Sequence, residues 1–141
     1  MRLYDVAVTS LAIDAPLKWT DNLLAHHAIP DVRSRTRGVA RGISWVGLVR
    51  IALIRELHLA LGCGVREAVA LSDLMLREPD GALAPGRFLT LGFDRRAQEE
   101  NLHQRLADTL ESAPRPKRGR PARRMPSAGG EPAAENEAGR S

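Results

Sequence analysis

The sequence predicts a mainly α fold with a small β-hairpin or strand element and a disordered C-terminal tail. Three observations carry that prediction. Hydrophobic residues make up 43% of the 141 residues but aromatic residues only 4%, so the core must be built from Leu, Ile, Val and Ala, a composition that favours helices over a large sheet. Between residues 45 and 61 the apolar residues recur at helical spacing. From Ser112 onward Pro, Gly, Ala, Arg and Glu replace apolar bulk, and such a segment cannot bury enough surface to offset its ordering entropy.

The first element is a short helix over Val6 to Ile13, expected to turn Val8, Leu11 and Ala12 inward. Asp14-Ala15-Pro16 breaks it, and Pro16 is suited to open a second helix that runs to about Ala28. Leu17, Leu23, Leu24, Ala25 and Ala28 supply its apolar side, and Pro30 stops it. Arg33, Arg35, Arg37 and Arg41 then stand among small residues, with Gly38 and Gly42 as turn formers. The alternation at 33, 35 and 37 is that of one strand face, so a basic hairpin is expected.

Ser44 is suited to cap the strongest helix, Trp45 to Leu61. Val46, Val49, Leu53, Leu57 and Leu61 line one face, flanked by Leu48, Ala52, Ile54 and Ala60, a stripe broad enough to place this helix deep in the core. Gly62-Cys63-Gly64 ends it. A further helix covers Val65 to Leu76 with Ala68, Val69, Ser72 and Leu76 near one face, and Glu78-Pro79-Asp80-Gly81 forms a turn. Phe88 to Phe93 reads as a short strand, and a last helix runs from about Arg95 to Glu111. Its Leu102, Leu106 and Leu110 form a line that packs either on the core or on a second copy.

The order helix, turn, helix, basic wing, apolar helix, helix resembles the DNA-binding domain of the MerR family. The matching residues are Tyr4 before the first helix and Ala12 within it, Lys18-Trp19-Thr20 in the second helix and Ile29-Pro30 at its end, Arg33 to Gly42 as wing, Leu48 through Gly62, and Val65-Arg66-Glu67-Ala68. The sequence departs from the family at the recognition helix, where Lys18-Trp19 replaces the usual Arg-Tyr pair, and at the wing's end, where Gly42-Ile43-Ser44-Trp45 stands. The resemblance covers roughly residues 4–76 and implies a winged helix-turn-helix-like domain over residues 1–76; the residue pattern beyond it makes residues 77–111 a strand and helix open to dimerisation and residues 112–141 the tail. It also implies major-groove contact by Lys18, Thr20, Asn22 and His26 and phosphate contact by Arg33, Arg35, Arg37 and Arg41. A solvated helix face and a solvated loop are the competing readings. Together with the leucine line, the family's dimeric habit leads to the expectation of a homodimer.

Arg115-Pro116-Lys117-Arg118-Gly119-Arg120-Pro121 resembles an AT-hook. Gly119 lets the backbone lie against a groove floor and Pro121 keeps it extended. Arg118 and Arg120 then suit a narrow A·T minor groove, with Lys117 as a flanking basic contact, and Arg123 and Arg124 the neighbouring phosphates. A generic basic tail is the simpler alternative.

The net charge of +4 fits an anionic partner. One cysteine, Cys63, allows no intrachain disulfide and no cysteine-based zinc site. His26-His27, His58 and His103 do not form a metal pattern, and no cofactor motif or catalytic constellation is present, so a non-enzymatic protein is expected. Trp19 and Trp45 fit a core or its boundary better than a stacking platform. Asp5 and Asp14 interrupt any leader core, and Arg50, Arg55, Glu56 and His58 make residues 45–61 too polar to span a membrane. The expectation is therefore a cytoplasmic, nucleoid-associated regulator of transcription on double-stranded DNA. The rivals are an antitoxin or adaptor module whose basic segment meets an acidic protein, and an RNA-binding protein, which the scarcity of aromatic residues for stacking disfavours.

Overall fold

The computed structural model describes residues 2–33 and 40–112, and within them the chain is mainly helical with a small antiparallel ribbon. Helix α1 (Val6–Ala12) begins where the Asp5 carboxylate accepts the Val8 amide at 2.7 Å. It buries Thr9, Ser10 and Ala12, whereas Leu11 is 58% exposed. The expected inward Leu11 is thus corrected. A helix of seven residues offers more than one apolar face, and the hydroxyl of Ser10 tolerates burial by donating to the Val6 carbonyl at 2.8 Å. Asp14, at φ 56, turns the chain toward α2 (Leu17–His26), with Pro16 at the capping position.

After α2 the two-residue strands β1 (Val32–Arg33) and β2 (Gly42–Ile43) pair antiparallel, Val32 opposite Ile43 and Arg33 opposite Gly42. Tyr4 joins the other edge of β2 through reciprocal amide bonds with Ile43 of 2.8 and 2.9 Å. The N-terminal segment is therefore part of the same small layer. The middle of the expected hairpin, residues 34–39, lies outside the described residues.

Helix α3 (Trp45–Leu61) has the predicted bounds and lies at the centre of the fold. Its entry is a compact junction. The Asp31 carbonyl accepts from both the amide and the hydroxyl of Ser44, at 3.2 and 2.9 Å, while the same hydroxyl accepts the Gly47 amide at 3.1 Å. A Cβ on Gly47 would stand 2.7 Å from the Asp31 oxygen, so only glycine lets the ribbon base sit this close to α3. Gly62, at φ 67, ends the helix in the left-handed conformation. Leu48, Val49, Ile51, Leu53, Ile54 and Leu57 are all buried, so α3 is covered nearly all round along its middle, while the stripe positions Val46 and Leu61 at its ends are exposed.

Helix α4 (Val65–Arg77) packs along α3 and buries Ala68, Ser72 and Met75. Asp73 locks the pair by reaching Arg50 of α3 at 3.1 Å and Arg77 at 2.7 Å. The Glu78–Gly81 turn forms as expected, with the Gly81 amide on the Glu78 carbonyl. Phe88 to Phe93 is not a strand; only Leu83 and Leu91 bridge, by reciprocal amide bonds of 2.8 and 2.7 Å that clasp the loop between them. Helix α5 (Arg95–Ser112) packs on α1 and α3. Leu102 and Leu106 are buried in the core of this same chain and Leu110 is 42% exposed, so the leucine line is chiefly a core element of the monomer. Arg105 extends from α5 to the carbonyl of Ala12 at 2.8 Å and so satisfies the last turn of α1.

Candidate functional site

The second helix and the ribbon carry the polar surface singled out from the sequence. Thr20 and Leu23 of α2 point into the core, with Trp19 and Leu24 half-buried beside them. That orientation turns Lys18, Asp21, Asn22, Ala25 and His26 outward on one face. Thr20 is fully buried, and its hydroxyl has no hydrogen-bond partner among the described residues, so it is removed from the set of contact residues. The helical period explains the correction: Thr20 and Leu23 are three residues apart and share the inner face. His26 folds back, its Nδ1 donating to the Asn22 carbonyl at 2.9 Å, which leaves Nε2 for an outside partner.

The ribbon is fastened to this helix by one ion pair. Arg41, immediately before β2, places its guanidinium 2.7 Å from the Asp21 carboxylate. The Arg41 side chain is 18% exposed and that of Asp21 61%. Arg41 is thus a fastening group more than a free cation, and Asp21, which on its own would repel a phosphate, is neutralised by it. Composition and spacing do not show this pair, because its members are twenty residues apart. Arg33 stands at the same end of the ribbon, exposed, one register step from Arg41. Lys18 and Arg33 are the predicted cations that the described structure leaves exposed and without an ion pair.

A layer beneath supports α2. The guanidinium of Arg55 lies 4.8 Å from the centre of the Trp19 ring, and the ring of His58 stacks on Trp19 at 6.2 Å. His58 in turn donates through Nδ1 to the Cys63 carbonyl at 2.8 Å, and the Cys63 thiol reaches the Leu57 carbonyl at 3.3 Å. Trp19 therefore holds α2 on α3, and Cys63 closes the end of α3. Trp45 stacks on His103 at 4.1 Å, fixing α5 on the start of α3.

Arg35 and Arg37 of the wing lie outside the described residues, as do Lys117, Arg118, Gly119, Arg120, Pro121, Arg123 and Arg124 of the tail. Among the described residues no group of three His, Cys, Asp or Glu side chains could hold a metal ion, and no helix is long and apolar enough to cross a membrane. No family model matches the chain, and neither the curated proteins nor the solved structures contain a significant match to it.

Proposed function

We propose that this chain is a non-enzymatic, nucleoid-associated DNA-binding protein of the cytoplasm that regulates transcription through a winged helix-turn-helix-like surface. The observation that carries this reading is the Arg41–Asp21 ion pair, which joins the exposed polar face of α2 to the basic ribbon and removes the one negative charge from that face. A helix laid in a major groove meets a distinct donor and acceptor pattern at each base pair. In this reading Asn22 offers the paired donor and acceptor that suit adenine, Lys18 and His26 offer donors for guanine or phosphate, and Arg33 contacts the backbone. Arg35 and Arg37 would extend the wing along the phosphates. The tail, through Lys117 to Pro121 with Arg123 and Arg124, would grip A·T-rich minor groove and raise affinity through effective concentration.

The test is a titration of the full chain with A·T-rich and G·C-rich duplexes over a range of salt. Binding should weaken linearly on logarithmic axes as salt rises, because each neutralised phosphate releases condensed counterions. The A·T-rich duplex should bind more tightly. Absence of binding to any duplex at low salt would overturn the reading and leave the protein-adaptor alternative. Binding of equal strength to both duplexes would reject the minor-groove role of the tail.

A further inference from the structure

The loop clasped by Leu83 and Leu91 presents the least protected aromatic side chain described. Phe88 is 90% exposed and Leu89 56%, with the Arg87 guanidinium 5.1 Å from the Phe88 ring. A large apolar tip held out by a closed base is costly in water unless something covers it. The same loop, just past the clasp, forms one wall of a groove. Leu91 and Phe93 meet Leu53, Leu57 and Leu61 of α3 and Met75 of α4 around a cavity of about 510 Å³. Glu56 and Asp94 are the charged residues lining it, both are exposed, and neither has an ion-pair partner among the described residues.

We propose that two copies of this chain associate by exchanging these tips, the Arg87-Phe88-Leu89 segment of each seated in the α3/α5 groove of the other. Tip and groove are complementary in two independent respects. An exposed aromatic and a leucine meet an open apolar cavity, and a cation beside the aromatic meets a groove whose lining charges are both carboxylates. A two-fold axis that seats one tip in the other copy's groove seats the second tip likewise. The contact closes on itself and forms a dimer instead of a filament. A second copy is the occupant favoured here because it supplies apolar surface and positive charge together. The association does not involve Leu102 and Leu106, which stay in each monomer's core.

The measurement is sedimentation equilibrium of the full chain without DNA, across micromolar concentrations, so that its outcome is independent of the DNA-binding reading. The wild type should show a reversible monomer–dimer equilibrium. Phe88→Ser should raise the dissociation constant about tenfold or more, since a desolvated aromatic anchor dominates a small interface. Its exposure means that thermal melts should be unchanged. Arg87→Glu and Glu56→Arg should each weaken association, and the double variant should recover most of it. A wild type that is monomeric throughout would overturn the proposal. So would a dimer that Phe88→Ser leaves intact, which would place association on another face. A double variant no stronger than the singles would overturn the seating of Arg87 beside Glu56.

Discussion

Replacing Leu106 by alanine separates a core helix from an interface helix. Leu106 is 5% exposed and belongs to the main core with Ala12, Ile54 and Leu57. The substitution deletes three buried carbons, a transfer loss of about 2.4 kcal/mol at roughly 0.8 kcal/mol each. The cavity left behind raises the total toward about 3 kcal/mol, because α1 and α3 are held by other contacts and cannot collapse fully onto it. For a folded region of this size each kcal/mol lowers the melting temperature by about 4 °C, which gives a fall of about 12 °C. Leu110→Ala, at a position 42% exposed near the end of α5, should cost well under half of that. The assay is thermal unfolding followed by far-ultraviolet circular dichroism, on both variants at one protein concentration. A Leu106→Ala melting temperature within about 2 °C of wild type would refute the placement of α5 in the monomer core.

Lys18→Ala and Arg33→Ala should each lower the salt slope of DNA binding by about one unit while leaving the melting temperature unchanged, as titration and calorimetry would show. Arg41→Ala should cost little stability, about 0.5 kcal/mol for so exposed a partner, but weaken DNA binding about tenfold by freeing both the ribbon and the Asp21 charge; Asp21→Asn should be milder in the same titration. Asp73→Asn removes the charge partner of Arg50, whose side chain is only 12% exposed, and should destabilise by about 1–2 kcal/mol in denaturant unfolding. Deleting residues 113–141 should reduce the salt slope by about 3–4 units without unfolding the rest, and Gly119→Glu should remove the preference for A·T-rich duplex.

The long elements were legible in the sequence because their signals were redundant. Trp45–Leu61 combined an N-cap serine, a wide apolar stripe and a terminal glycine, and each of the three marks is present in the structure. Short elements gave no such redundancy. In α1 Leu11 was expected inside, but the face set by α2 and α5 buried Thr9 and Ser10 and left Leu11 exposed. Phe88 to Phe93 had strand-forming residues, yet a strand needs a neighbour, and among the described residues only Leu83 supplies one bridge. At the candidate site, residue type suggested which groups suit DNA but not which way they point. Thr20 failed on orientation, and Arg41 was engaged by an acid twenty residues away that no local pattern announces.

The bond from Arg105 to the Ala12 carbonyl joins residues 93 apart, and this has a consequence for the order in which the molecule can be completed. During synthesis α1 emerges well before α5, so its last turn has no such partner until almost the whole described chain has followed. Helices α3 and α4 are joined by a short connection and can settle on each other early, as nearby contacts form faster than distant ones. Helix α1 is thus made before α5 but finished only after it. A chain halted before Arg95 would expose Ala12, Val49 and Ala52 to solvent from the side that α5 covers, making such fragments prone to aggregate or to be degraded.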